Sequence, residues 1–157
     1  SEAGGFLTIF LMIIGASPGS TGGGIKTTTF VVMLLAMISY IKRDADLNIF
    51  DRRLGESILR RAFCVAILYA LFVGLGSFLL LALQNLPLKD TLFEAVSAMS
   101  TVGLSTGITR SLSAASKVII ILLMYCGRVG SLTVVMAVAE RRNPAKIKNL
   151  EEKITIG

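Results

Sequence analysis

One short run of residues has the types and spacing needed to bind a dehydrated ion. Residues 100–107 read Ser-Thr-Val-Gly-Leu-Ser-Thr-Gly and lie between two long hydrophobic segments. Backbone carbonyls in such a loop can replace the water shell of an alkali cation. Because glycine has no Cβ, it can turn its carbonyl towards an ion in conformations that other residues avoid. We therefore predict a filter formed by Thr101, Val102, Gly103, Leu104 and Ser105, with K⁺ at Thr101, Val102 and Gly103.

The filter prediction has a plainer alternative. Thr, Gly and Ser also favour ordinary turns, so residues 100–107 could form an extracellular turn without an ion. The half-length helix expected just before them argues for the filter, because the negative end of its dipole would favour a cation. Leu104 is expected to pack behind the loop.

A second candidate element is a glycine-rich break in the first hydrophobic region. Glycine and proline there leave helical hydrogen bonds unmade and permit many backbone angles, so we predict a mobile gating loop in the ion path. A phosphate-binding loop is disfavoured, because Ile25 separates Gly24 from Lys26 and Thr27. A break that only relieves packing is the other alternative. The loop consists of Gly15, Ala16, Ser17, Pro18, Gly19, Ser20, Thr21, Gly22, Gly23 and Gly24.

A single arginine, Arg128, interrupts the last hydrophobic segment. An arginine within a membrane helix is costly and usually faces a bundle interior or a watery cavity. It could bind carbonyls of the broken helix, or place a positive charge below the filter and impede cations, and the two roles are compatible. Lys26 could cap the glycine-rich loop or extend to the interface, and we assign it no firm role.

The composition indicates an all-α integral membrane protein in contact with lipid. Hydrophobic residues make up 54% of the chain, charged residues 17%, and the mean hydropathy is +0.75. The net charge of +6 is concentrated in two segments, which is topology information rather than a sign of nucleic-acid binding. Histidine is absent, and no nucleophile–base pair or metal-ligand cluster is visible, so we expect neither an enzyme nor an organic cofactor.

Three kinds of hydrophobic element must position these residues. Residues 62–83 and 114–139 are each long enough to span a bilayer. Residues 90–100 form a half-length helix, with Asp90 or Thr91 as its cap and Glu94 near its positive end. Residues 1–41 form one discontinuous membrane helix around the glycine-rich loop.

The basic residues predict the orientation. The connector 42–61 and the tail 140–157 are rich in Lys and Arg, so both are expected on the cytoplasmic side of the plasma membrane. Within the connector, residues 47–61 alternate apolar and basic positions. They could form an interfacial helix, and a solvated loop is equally compatible with them.

Residues 14–29, Ile-Gly-Ala-Ser-Pro-Gly-Ser-Thr-Gly-Gly-Gly-Ile-Lys-Thr-Thr-Thr, closely resemble the intramembrane loop of the Trk/Ktr/HKT potassium transporters. Residues 100–107 resemble the fourth filter loop of that family, and Cys-Gly-Arg-Val-Gly at 126–130 resembles its last membrane helix. The resemblance implies four membrane helix–pore loop–membrane helix units around one pseudo-fourfold pore. It also implies a homodimer, a cytoplasmic nucleotide-binding regulatory ring, and uptake of potassium or sodium.

By this resemblance, residues 1–41 are the last helix of the third unit and residues 62–139 are the fourth unit. That unit would comprise a membrane helix at 62–83, a pore helix at 90–100, the filter at 101–107 and a second membrane helix at 114–139. Because the other filter loops are absent, the chain is expected to be a C-terminal part that does not conduct alone. The alternatives are a secondary transporter of small solutes with its site at the broken helix, and a non-conducting remnant.

Overall fold

The computed structural model describes residues 2–42, 48–49, 52–53, 55–131 and 133 of the chain. Helices dominate these residues, which confirms the helical fold class at this coarse level. The elements are α1 (Glu2–Ile14), α2 (Thr27–Lys42), β1 (Asn48–Ile49), β2 (Arg52–Arg53), α3 (Glu56–Leu83), α4 (Leu88–Met99), a short 3₁₀ helix (Ile108–Ser111) and α5 (Ala114–Val129).

The connector contains a small antiparallel ladder. Asn48 pairs with Arg53 and Ile49 pairs with Arg52. The expectation of a helix or a loop across residues 47–61 is therefore wrong for these four residues. From Glu56 onward the connector belongs to α3. The rest of the connector, residues 43–47, 50–51 and 54, lies outside the described residues.

Among the described helices, only α3 is long and apolar enough to cross a membrane, over Ser57–Leu83. It contains the predicted span 62–83 but begins six residues earlier, because a helix continues through a polar turn that a hydropathy pattern excludes. The second predicted span, 114–139, is described as helix over Ala114–Val129. Its residues 132 and 134–139, and the tail 140–157, lie outside the described residues.

The half-length helix α4 lies at the centre of the packing, in contact with α1, α3 and α5. Its 12 residues extend about 18 Å, roughly half of the hydrocarbon thickness of a bilayer. Seven of its residues are buried, and all but the first lie in its C-terminal half: Thr91, Glu94, Ala95, Val96, Ser97, Ala98 and Met99.

The start of α4 differs from the prediction. The N-cap is Pro87, with no side-chain cap, so the expected caps Asp90 and Thr91 are wrong. The Thr91 hydroxyl instead donates back to the Pro87 carbonyl at 2.9 Å. Glu94 lies in the middle of the helix, beyond the first turn, so its expected place near the positive end is also wrong.

One side chain, Gln84, ties the end of α3 to the start of α5. Its Oε1 accepts hydrogen bonds from the Ser113 amide and from the Ser116 hydroxyl, both at 2.9 Å. Ser113 also caps α5, because its hydroxyl oxygen accepts from the Ser116 amide at 3.2 Å. These bonds hold α3 and α5 together at the end of the molecule where α4 begins.

Large apolar side chains cover much of the outer surface. Phe6, Phe78 and Tyr125 are exposed by 73%, 66% and 64%. A soluble protein rarely leaves apolar patches of this size open to water, whereas a lipid environment solvates them without cost. The outer surface therefore agrees with the membrane character that the composition indicates.

Candidate functional site

The segment after α4 leaves the helix through two left-handed residues. The Ser100 amide closes the helix on the Val96 carbonyl at 2.8 Å, and then Thr101 has φ +54° and Gly103 has φ +80°. The glycine was expected to adopt such an angle, but the threonine was not, because non-glycine residues rarely do so. The two angles direct the chain away from the helix axis into an irregular segment.

The segment folds back along α4 and is held by Ser97. The Val102 amide donates to the Ser97 carbonyl at 3.0 Å, and the Ser97 hydroxyl donates to the Leu104 carbonyl at 2.5 Å. The Leu104 carbonyl is therefore already engaged. Its side chain is 49% exposed rather than packed behind the loop as expected.

Three consecutive carbonyls in this segment remain open. Within the described part of the chain, no donor bonds the backbone oxygens of Thr101, Val102 or Gly103. An unpaired carbonyl retains both of its lone pairs for a ligand or for water. These are the same three positions at which the sequence predicts K⁺.

The glycine-rich loop connects α1 to α2, and its two ends lie next to each other. The Ile25 amide returns to the Ile13 carbonyl at 3.2 Å, and a Cβ on Gly15 would lie 2.9 Å from the Gly24 Cα. Gly15 and Gly24 both have positive φ, so glycine is needed here for conformation as well as for space. The predicted break is therefore a true interruption between two helices.

The structure brings this loop directly against the end of α4. The Gly23 amide donates to the Ser100 carbonyl at 3.1 Å and to the Thr101 hydroxyl oxygen at 2.7 Å. A Cβ on Gly23 would lie only 2.7 Å from the Met99 carbonyl oxygen. Gly23 and Thr101 are 78 residues apart in the sequence. The glycine-rich loop and the predicted filter are therefore in hydrogen-bonded contact.

Two cations hold the exposed tip of the glycine-rich loop. Lys26 Nζ donates to the Ser20 carbonyl at 3.3 Å and also to the Gly22 carbonyl. Arg128 Nη1 reaches across from α5 and donates to the Thr21 carbonyl. Lys26 therefore caps the loop from within. Arg128 binds a carbonyl of the broken helix, which is one of the two roles expected for it.

The last helix approaches α4 backbone to backbone at Gly127. A Cβ on Gly127 would overlap the Met99 carbonyl oxygen and lie 2.7 Å from its carbonyl carbon. On the far side, the hydroxyls of Tyr69 and Ser100 share a buried hydrogen bond of 2.7 Å. The C-terminal end of α4 is thus fixed by α3, by α5 and by the glycine-rich loop together.

Sequence reasoning missed the part played by Glu94. This side chain is 5% exposed, and its Oε1 accepts hydrogen bonds from the Ser105 hydroxyl and, at 3.0 Å, from the Thr109 hydroxyl. A charged residue in the C-terminal half of α4, where every other residue is small or apolar, was the available signal. Glu94, Thr101, Ser105 and Arg128 all line one cavity of about 460 Å³.

The donor set favours an alkali ion over a transition metal. Among the described residues, no three His, Cys, Asp or Glu side chains lie close enough to hold a metal ion together. The open carbonyls at residues 101–103 are hard oxygen ligands of the kind that replace the hydration shell of a monovalent cation. The arrangement therefore offers oxygen ligands to a dehydrated cation, provided that further oxygens complete its shell.

Several known proteins are similar in sequence to this chain. A family model described as "Cation transport protein" (TrkH) matches residues 1–148. The chain is 41% identical over 133 residues to the Ktr system potassium uptake protein B of Bacillus subtilis (strain 168), covering 85% of this chain and 30% of that protein. It is 37% identical over 169 residues to the potassium/sodium uptake protein NtpJ of Enterococcus hirae, covering 100% of this chain and 36% of that protein.

A third relative is the Ktr system potassium uptake protein B of Vibrio alginolyticus. The identity is 33% over 151 residues, covering 96% of this chain and 33% of that protein. The chain thus spans about a third of the length of these curated relatives.

Proposed function

The chain belongs to the TrkH family of cation transport proteins, and from this premise we propose that it forms part of the pore of a potassium uptake transporter. The observation that carries the proposal is the row of open carbonyls at Thr101, Val102 and Gly103. Potassium is the proposed ion, with sodium as the alternative. The names of the relatives support both, since two name potassium and one names potassium and sodium together.

The proposed filter is residues 101–105, positioned by α4. A helix carries partial negative charge at its C-terminal end, and α4 ends at Met99, two residues before the first open carbonyl. This arrangement concentrates negative potential where a cation must shed its water. Because the Leu104 carbonyl oxygen accepts a hydrogen bond from the Ser97 hydroxyl, we place the ion at the first three residues.

The proposed gate is the glycine-rich loop, residues 15–24, below the filter. The loop touches the end of α4 through Gly23 and is held by Arg128 at its tip. Glycine at five of its ten positions lets the loop move between an occluding and an open arrangement. Arg128 also places a positive charge beside the path, which would repel cations while the loop is closed.

The family fold extends the proposal to the whole transporter. Residues 1–41 would form the last helix of a third pore unit and residues 62–139 the fourth unit of a pseudo-fourfold pore. The basic segments 42–61 and 140–157 would lie in the cytoplasm, with the pore in the plasma membrane. The chain covers about a third of its relatives, so the remaining filter oxygens would come from other units.

Two partners belong to this proposal. The complete transporter would be a homodimer, and a cytoplasmic nucleotide-binding ring would regulate it. The printed description of two relatives as parts of a "Ktr system" is in keeping with an assembly of several components. The TrkH family is a family of transporters, which indicates transport rather than enzymatic catalysis.

A chimera tests the proposed function. The matching third of the Bacillus subtilis relative is replaced by this chain, and Rb⁺ uptake is measured in bacteria that lack their own potassium uptake systems. We expect the chimera to take up Rb⁺ and the chain alone to give no uptake. Absence of uptake by a chimera that reaches the membrane in normal amounts would contradict the proposal.

A further inference from the structure

A buried carboxylate, Glu94, lines the same cavity as the proposed filter and has no cationic partner among the described residues. Glu94 is 5% exposed, and the side chains around it on α4 include the fully buried Thr91 and Ala95. Arg128 lines the same cavity, yet no ion pair joins it to Glu94 in the described part of the chain. A buried charge is costly unless hydrogen bonds satisfy it, and such a charge within a membrane protein usually serves a function.

Hydroxyl groups of the returning chain satisfy this carboxylate. Glu94 Oε1 accepts from Ser105 and, at 3.0 Å, from Thr109. The two hydroxyl oxygens lie 2.9 Å apart, and Ser105 Oγ also accepts from the Gly107 amide at 2.9 Å. One carboxylate oxygen therefore binds the first and the last residue of the turn at residues 105–109.

Glu94 acts together with Ser97, which is one helical turn further along α4. Residues three apart lie on the same face of a helix. Ser97 is hydrogen-bonded to Val102 and Leu104, and Glu94 is hydrogen-bonded to Ser105. The segment with the open carbonyls is therefore attached to one face of a rigid, buried helix at its start and at its end.

We propose that Glu94 is a positioning residue that sets ion preference, an inference that rests on the proposed function. By fixing Ser105 and Thr109, the carboxylate fixes the spacing of the carbonyl oxygens at residues 101–103. A cation that fits this spacing is favoured over one that needs shorter contacts, so the preference for K⁺ over Na⁺ depends on the attachment. The carboxylate itself does not touch the ion.

The test uses the chimera described above and measures how strongly K⁺ and Na⁺ each inhibit Rb⁺ uptake. Glu94→Gln keeps the shape but removes the charge, so the hydroxyls of Ser105 and Thr109 would bond to a neutral amide oxygen. Hydrogen bonds to a charged group are roughly twice as strong as neutral ones, and we expect the preference for K⁺ over Na⁺ to fall by about tenfold. Asp90→Asn is the matched control. It removes a carboxylate one turn earlier on the same helix. In the described structure this carboxylate is not bonded to any loop residue, so the variant should retain the preference for K⁺ over Na⁺.

A second pair of variants keeps the proposal testable if Glu94→Gln fails to fold. Thr109→Val preserves the shape of the side chain and removes its hydroxyl, whereas Thr109→Ser preserves the hydroxyl. We expect Val to lower the K⁺ preference and Ser to retain it, which a merely structural role of this position would not produce.

The outcomes separate this inference from the proposed function. Normal Rb⁺ uptake with unchanged K⁺ preference in Glu94→Gln and in Thr109→Val would overturn the inference alone. Absence of Rb⁺ uptake in the unsubstituted chimera would overturn both. A lowered preference in these two variants, with intact Asp90→Asn and Thr109→Ser, would establish the positioning role.

Discussion

The backbone amide of Gly23 donates a hydrogen bond of 2.7 Å to the hydroxyl oxygen of Thr101. This bond joins the proposed gate directly to the first residue of the proposed filter. The same amide also lies 3.1 Å from the Ser100 carbonyl oxygen. Movement of the loop would therefore break its hydrogen bonds to Ser100 and to Thr101 together, so the loop and the filter are expected to act as one unit.

Alanine at Gly23 should separate the loop from α4. The new Cβ would lie 2.7 Å from the Met99 carbonyl oxygen and 3.0 Å from the Ser100 carbonyl carbon, and neither backbone atom can move easily. We expect Gly23→Ala to displace the loop and to raise Rb⁺ uptake roughly fivefold, the effect of losing about one hydrogen bond. Gly74→Ala, where no atom lies within 4 Å of the new Cβ, is the control and should not change uptake. Equal uptake in the two variants would count against a coupled gate.

Replacement of glycines at two helix contacts should lower the free energy of unfolding by different amounts. At Gly127 a Cβ would overlap the Met99 backbone, whereas at Gly76 it would meet the side chain of Leu123, at 2.7 Å from its nearest atom. We expect Gly127→Ala to lower the free energy of unfolding by at least about 1–3 kcal/mol, and Gly76→Ala by less. Thermal unfolding of the purified chimera in detergent measures the order. A smaller loss for Gly127→Ala than for Gly76→Ala would show that α5 does not pack on α4 as described.

Removal of Arg128 should loosen the closed loop. Its guanidinium binds the Thr21 carbonyl, so Arg128→Gln removes both a hydrogen bond and a positive charge beside the path. We expect Rb⁺ uptake to rise by up to about tenfold. Lys117→Gln, which neutralises an exposed cation near the start of the same helix, serves as the control. An uptake no higher than that of the control would argue that Arg128 does not restrain the loop.

Local signals in the sequence were sufficient for much of the fold. Pro18 and the glycines around it interrupt a hydrophobic run, and the structure has a loop between α1 and α2 at that place. The half-length helix before the filter was expected at residues 90–100, and the helix occupies Leu88–Met99. Helix ends were less accurate, because an extended Pro87 rather than a polar cap begins α4, and because α3 starts in a polar turn.

Contacts between distant residues could not be predicted in this way. The approach of Gly127 to Met99, and the attachment of Glu94 to Thr109, depend on how helices pack in three dimensions. The left-handed conformation of Thr101 likewise has no signature in residue type, since threonine disfavours it. Such features follow from the tertiary environment, which stabilises a conformation that the residue alone would not adopt.

The most direct test of the proposed filter compares alanine substitutions at two glycines that both have positive φ. Gly103 has φ +80° and Gly130 has φ +95°, and neither has an atom closer than 3.7 Å to a new Cβ. Inhibition of Rb⁺ uptake by K⁺ and by Na⁺ is measured for Gly103→Ala and Gly130→Ala in the chimera. If residues 101–103 select the ion, Gly103→Ala lowers the preference for K⁺ by about tenfold, since the strain of 1–2 kcal/mol falls on the ion-binding carbonyls, while Gly130→Ala retains it. An unchanged preference in Gly103→Ala, or an equal loss in both variants, would contradict the account.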